Sequence, residues 1–321
     1  MKKIAIITPF FNEEKTIHQY FTTLEEVFKN IEIDYEYIAI DDGSSDKTYE
    51  ILTEISKNKQ NLTIIKFSRN FGKEIALTAG LDFADADAVI PLDADLQDCP
   101  SVIPIMIKKW QDGYKVVLAQ RSNRNDPLLK KITANLFYKL ANKVMYIEMP
   151  KHVGDFRLID REVVDQIKKM KEKNRFMRGI FSWVGYKNIT IQFDRPKRSQ
   201  GDSKYNYPKL IKCALDGIFS FSTFPIRIIT YCGIIVSFLS FIFGCYIIFN
   251  KIFYDHGVPG YASIMSVILF LGGLNFIFIG VIGEYVGRIF LEVKNRPSYI
   301  TEEIIKSQDY LNKNKVINKN E

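Results

Sequence analysis

Residues 87–98, DAVIPLDADLQD, pass from an apolar run into three carboxylates and a glutamine within six positions. The apolar half, ending in Pro91 and Leu92, reads as a short buried strand. The polar half places Asp93, Asp95, Gln97 and Asp98 side by side. Carboxylates this close repel one another at neutral pH unless solvent or a cation separates them. Taken alone, an Asp-x-Asp is as readily a solvated turn as a site.

Upstream, the same form recurs three times. KKIAIIT (2–8), YEYIAI (35–40) and LTIIKFS (62–68) are short apolar strands. Residues 12–30, 47–58 and 69–84 between them have helical spacing, with Ile17, Phe21, Leu24 and Phe28 on one face of the first. Ser44, Ser45 or Asp46 can cap the second. Strands alternating with helices predict a parallel, doubly wound sheet. Ligands of such sheets bind at the carboxyl ends of the strands. There the sequence places PFFNEE (9–14), DDGSSD (41–46), SRNFGK (68–73) and DADLQD (93–98), one cluster per strand.

Neither Gly-x-Gly-x-x-Gly nor Gly-x-x-x-x-Gly-Lys-Ser/Thr follows the first strand, which excludes the usual dinucleotide and P-loop sites. An edge carrying several aspartates holds a diphosphate only with a divalent cation between them. Hard oxygen ligands suit Mg²⁺ or Mn²⁺ shared with substrate phosphates. Asp42, one strand away, is then free to accept from a base or ribose. The pattern describes a nucleoside diphosphate donor held by a metal at Asp93 and Asp95.

The last third of the chain differs. The mean hydropathy of −0.06 averages two unlike parts, because Ile228–Phe249 and Val258–Gly283 contain no charge at all. The first run, as a helix of 22 residues, is about 33 Å long against roughly 30 Å of hydrocarbon. Two membrane spans are expected. The net charge is +7, and seven Lys/Arg against two Asp lie between Arg195 and Arg227. Arg288, Lys294 and Arg296 follow the second run, whereas the loop 250–262 holds one Lys and one Asp. By the excess of cations on cytoplasmic flanks, both termini are expected inside and the loop outside. MKKIAIITPF enters a strand directly, so no signal peptide is expected. Cys99, Cys213, Cys232 and Cys245 have no metal or redox spacing. Residues 205–224 read as an interfacial helix. Glu284 and Arg288 are spaced for an i, i+4 pair. Trp110 and Trp183 are expected to pack, and His18 and His256 to lie at the surface.

The ordered set TPFFNEE, IAIDDGSSDKT, RNFGKEIALTAGLDFADAD, PLDADLQDCP, GDFRLIDREVV, NRFMRGIFSWVGY and RSQGDSKYNYPKL resembles family 2 glycosyltransferases of GT-A fold. Within them it is similar to the polyprenyl-phosphate glycosyltransferases. The tail GVIGEYVGRIFLEVKNRPSYI resembles the bacterial undecaprenyl-phosphate subgroup. The resemblance covers roughly residues 3–300. It implies a GT-A type doubly wound, mostly parallel sheet over 1–200, interfacial helices over 201–226, a two-helix transmembrane hairpin over 227–290 and a cytoplasmic tail over 291–321.

It also implies roles. Asp93, Asp95 and Gln97 would hold Mg²⁺ or Mn²⁺, and Asp155 would be the catalytic carboxylate beside Asp95. Pro9, Asn12, Glu13, Asp42 and Lys73, with Asp93 and Gln97, would bind the donor. Arg157, Arg198, Ser203 and Lys204 would grip phosphates of donor and lipid. His152 stands where relatives differ and is assigned nothing. Gln-x-x-Arg-Trp of processive synthases is absent, which favours a single transfer. The implied reaction moves one sugar, from UDP-glucose or UDP-GlcNAc, to undecaprenyl or another polyprenyl phosphate. It would be inverting and would serve cell-envelope glycan modification at the inner membrane, with a separate flippase and a downstream transferase. No nucleic acid partner is implied, and homo-oligomerisation stays open. A silent scaffold need not keep Asp93, Asp95, Asp155 and Lys204 together. Transfer to a lipid such as diacylglycerol would use the same donor site.

Overall fold

The protein is seen in a computed structural model that describes residues 2–121, 150, 153–193, 217, 219–254 and 260–307. In chain order these form β1 (Lys3–Phe10), α1 (Ile17–Phe28), β2 (Asp34–Asp41), α2 (Thr48–Asn58), β3 (Leu62–Phe67), α3 (Lys73–Phe83) and β4 (Ala88–Pro91). Then come α4 (Ile103–Gln111), β5 (Val116–Arg121), β6 (Val153–Asp160), α5 (Arg161–Lys169), α6 (Met177–Trp183) and β7 (Asn188–Phe193). Two long helices, α7 (Phe224–Tyr254) and α8 (Tyr261–Lys294), precede β8 (Thr301–Lys306).

The strands make one eight-stranded mixed sheet in the order β7-β5-β6-β4-β1-β2-β3-β8. The four strands read from sequence supply its parallel centre. Alternation along β1 explains the two layers. Ile4 and Ile6 enter one core, with Ile17, Phe21, Leu24 and Phe28 of α1 and Trp110 of α4. Ala5 and Ile7 enter the other, with α3, α5 and α6. Both faces are covered, so the strands are apolar throughout. Gly80 of α3 lies so close to β1 that a Cβ there would stand 2.0 Å from Ile7 Cγ2.

Three features differ from the sequence reading. Strand β6 runs antiparallel to both β4 and β5, so the sheet changes sense at the edge of its parallel part. The region after 291, expected to be only a tail, returns to the sheet as β8, antiparallel to β3. Its sequence TEEIIK buries Ile305 while Ile304 stays half exposed, and an edge strand with one inward residue leaves no periodic signal. Trp183 is 60% exposed rather than packed. Trp110 is buried and donates to Asp160 at 2.7 Å.

Helices α7 and α8 are long and apolar enough to cross a membrane, and no part of their apolar windows is buried in the protein. Phe241 and Phe276 are 70% and 76% exposed. Apolar surface on this scale marks a face that meets lipid or a partner, not water. The base of α8 is joined to the α/β unit. Tyr285 donates to the Ser222 carbonyl at 2.7 Å. Arg288 pairs with Glu284 at 2.9 Å, as its spacing predicts, and also donates to Ser220 Oγ. Glu292 accepts the Lys173 amide at 2.7 Å. Of the expected interfacial helix, residues 205–216 and 218 lie outside the described residues.

Candidate active site

The carboxyl ends of β1, β2, β3 and β4 lie at one edge because the four strands are parallel. Their loops are held to one another by short polar side chains. Asn12, in the left-handed region at φ 54°, donates its amide to Ser44 Oγ and accepts the Ser45 amide on Oδ1 at 2.9 Å. The Glu13 amide donates to Thr48 Oγ1. Gly43, at φ 66°, lies against the Arg69 backbone, where a Cβ would stand 2.4 Å from the carbonyl carbon.

Asp42 does not present the free carboxylate that the sequence suggests. Its oxygens accept the amides of Phe71 and Gly72 at 2.6 and 2.9 Å, fixing the turn that starts α3. Its neighbour Asp41 accepts the Ser44 amide on Oδ1, while its Oδ2 is buried with no hydrogen-bond partner among the described residues. A buried orphan oxygen at the sheet edge is a better candidate for a ligand donor.

The turn fixed by Asp42 delivers Lys73, the first residue of α3, to the centre of the site. Lys73 Nζ lies 2.7 Å from Asp93 and 2.7 Å from Asp155 Oδ2. Burial opposes its charge, but the two carboxylates outweigh burial and hold the ammonium protonated beyond the ordinary lysine range. Asp155, near the start of β6, is 6% exposed. Its other oxygen faces Arg178 of α6 at 3.5 Å. Burial raises its pKa, and Lys73 with Arg178 overcomes this to hold the carboxyl well below the usual range. A carboxylate flanked by two cations is a weak proton acceptor.

Two residues along β6, Arg157 points to the same side. It stacks on Phe181 at 4.3 Å and donates to the Gly154 carbonyl at 2.6 Å. Burial draws the guanidinium down to about 10 against the pull of Asp155, and its Nε is buried without a hydrogen-bond partner among the described residues. Glu74 follows Lys73 and accepts the amide of Met177, the first residue of α6, at 2.8 Å. Burial, then the Asp155 charge, pushes Glu74 up to about 7.

The structure thus gathers Asn12, Glu13, Asp42, Lys73, Asp93, Asp155 and Arg157 around this edge, with Pro9 at the end of β1. Asp95 is exposed beside Asp93 and accepts the Gln97 amide at 3.1 Å. Gln97 is buried. Arg198, Ser203 and Lys204 lie outside the described residues, as does His152. Sequence reasoning missed Asp41, Glu74 and Arg178. The Asp41–Asp42 doublet was visible, but which of the two stays available depends on the loop before α3. Glu74 and Arg178 acquire meaning only through the packing of α6 on α3.

As to a metal, no three carboxylate, imidazole or thiol groups converge on one point among the described residues. Asp93 and Asp95 offer two hard-oxygen groups at a rim that Lys73 now neutralises. That donor set fits a cation completed by substrate phosphate rather than a closed protein cage.

Comparison with known proteins bears on what such a site does. Residues 5–168 match the family described as Glycosyl transferase family 2, and residues 224–289 match the GtrB C-terminal hairpin. The uncharacterized glycosyltransferase sll0501 of Synechocystis sp. is 47% identical over 94% of this chain and 95% of its own. The prophage bactoprenol glucosyl transferase homolog of Escherichia coli is 47% identical over 95% of this chain and 100% of its own. Among solved structures, glucosyl-3-phosphoglycerate synthase from Mycobacterium tuberculosis matches with a TM-score of 0.47 and 18% identity, over 68% of this chain and 76% of that one. That likeness is too distant to argue from.

Proposed function

Since the chain belongs to glycosyl transferase family 2 and is a glycosyltransferase, we propose that it transfers one sugar from a nucleoside diphosphate donor to a polyprenyl phosphate at a membrane surface. The observation that carries this is the meeting of Asp93, Lys73 and Asp155 at the carboxyl edge of the sheet, with Asp95 exposed beside them. UDP-glucose is the preferred donor and UDP-GlcNAc the alternative. Relatives named bactoprenol glucosyl transferases, one of them from Shigella phage SfII at 48% identity, support glucose and the lipid acceptor.

A phosphomonoester has a second pKa near 6, so the acceptor is already nucleophilic at neutral pH. Its oxygen forms the bond to the anomeric carbon as the bond to the diphosphate breaks, with inversion and no proton to remove. Asp155 therefore serves better by holding Lys73 and Arg178 in place than as a base. Those cations stand where charge develops on phosphate oxygens. Asp93, Asp95 and Gln97 would hold Mg²⁺ or Mn²⁺, which when bound would neutralise the departing diphosphate. Asp41, Asn12 and Glu13, with Pro9, would border the nucleoside. Arg157, Arg198, Ser203 and Lys204 would meet phosphate on the acceptor side.

Helices α7 and α8 would span the inner membrane, with the sugar-transfer unit and both termini cytoplasmic. The lipid-linked product would then need a flippase and a second transferase to reach an envelope glycan. Undecaprenyl phosphate offered with a panel of nucleotide sugars, and the lipid product weighed by mass spectrometry, tests the proposal. One hexose added from UDP-glucose is the expected result. Hydrolysis of every donor without lipid product would overturn it.

A further inference from the structure

We propose that a basic concavity at the inner end of α8 binds the phosphate headgroup of an anionic bilayer phospholipid, at a place separate from the sugar-transfer centre. This rests on the reading of α7 and α8 as membrane spans. The cavity has a volume of about 280 Å³. Lys173, Lys294 and Arg296 line it together with Ile75, Leu291 and Pro297. Helix α8 stops at Lys294 because Asn295 turns into the left-handed region at φ 45°, and the chain then folds back past the 173–174 loop. The cavity is walled by the helix end, that loop and the turn.

Its chemistry is one-sided. No carboxylate lines it, and none of its three cations forms an ion pair among the described residues. The nearby Glu292 accepts the Lys173 backbone amide. Lys294 lies over the Phe290 ring at 4.1 Å, while Ile289, Phe290 and Val293 of the same turns are exposed. Cations beside exposed apolar side chains are the composition of the headgroup level, where stems sit in the acyl boundary and charges reach phosphate.

Lys294 is eleven residues past Gly283, where the uncharged run ends, and the exposed Ile289, Phe290 and Val293 carry the apolar surface of the helix down to it. Basic pockets at that level are known to take lipid phosphate.

Phospholipid, polyprenyl phosphate and inorganic phosphate share the recognised group, and the test separates them. The full chain is placed in nanodiscs of phosphatidylcholine with or without phosphatidylglycerol, and retained lipid is read by native mass spectrometry. Wild type should retain phosphatidylglycerol. A variant combining Lys173→Gln, Lys294→Gln and Arg296→Gln should retain at least about tenfold less, with the donor KM unchanged. Substituting the exposed Lys171 and Lys187 by Gln should leave retention intact. Equal loss in that control, or equal retention in the triple variant, would overturn the proposal. So would displacement by millimolar inorganic phosphate, which marks a free-anion site. A rise in polyprenyl phosphate KM with unchanged phospholipid retention would assign the cavity to the acceptor instead. A chain that stays in the aqueous phase overturns the membrane reading along with this one; an embedded chain indifferent to phosphatidylglycerol overturns this one alone.

Discussion

Lys73 touches Asp93 and Asp155 at once, so the charge state of the centre is shared among residues from three elements. Asp93→Asn removes the carboxylate common to Lys73 and the proposed cation. Turnover should fall by about a hundredfold or more, the scale of losing one strong charge-stabilising group, and steady-state kinetics with a metal titration reads it. Full wild-type activity in excess EDTA would sink the metal assignment. Glu74 gives a second residue-scale outcome. Its folded pKa of about 7 lies above the ordinary value of 4.5, so between those values the folded protein binds more protons than the unfolded chain. Stability from this group therefore falls as pH rises through that window. Glu74→Gln keeps an acceptor for the Met177 amide and removes the charge. Its melting temperature should exceed that of wild type at pH 8 by a few degrees and converge with it near pH 4.5. Asp155 has the opposite sign, its contribution intact above the usual carboxylate range and lost only in acid. Asp93 and Asp95 were legible because two carboxylates one residue apart at a strand end are a local pattern. Arg178 was not, because nothing local distinguishes it from any surface arginine until α6 packs its Met177 amide on Glu74.

Between elements, the site depends on how one loop satisfies the next. Asp42, at the end of β2, accepts the two amides that precede α3, and Lys73 is the very next residue. Asp42→Ala leaves both amides without that acceptor, at a cost of about 1–3 kcal/mol for each one that water cannot reach. The variant should melt several degrees lower and lose activity through displacement of Lys73. Asp42→Asn should restore much of the stability. If Asp42→Ala instead melts like wild type and only raises the donor KM, the side chain acts on the base or ribose, as the sequence alone suggests. Strands β1–β4 and helix α1 were readable because periodicities of two and 3.6 are strong in runs buried on both faces. Strand β6 was harder, since VGDFRLID alternates buried carboxylate and guanidinium with Phe156 and Leu158. The charges that make it functional also disguise it as a strand.

For the molecule as a whole, β8 constrains the topology more strongly than charge counting does. It follows both long helices, yet pairs with β3 in the sheet built before them. Around it, Tyr49 donates to Glu303 at 2.6 Å, Ser307 Oγ donates to the Leu62 carbonyl at 2.6 Å, and Tyr299 stacks on Phe67 at 5.2 Å. A strand hydrogen-bonded to the sheet must lie on the same side of any bilayer as the sheet. If α7 and α8 span a bilayer as proposed, the chain crosses an even number of times between residues 224 and 300, and two helices of sufficient length are present among the described residues. The excess of Lys and Arg on the flanks is the ground for proposing that this side is the cytoplasm. Reporter fusions after residue 321 and within 255–259 should read inside and outside, respectively. An outward C-terminal reporter would require β8 to leave the sheet or the crossings to be odd. Removing the return strand separates the two: with Ile304 and Ile305 both changed to Asp, β8 should detach while the C-terminal reporter still reads inside. If that change alone turned the C-terminus outward, strand pairing would be holding a topology that the helices and their flanking charge do not.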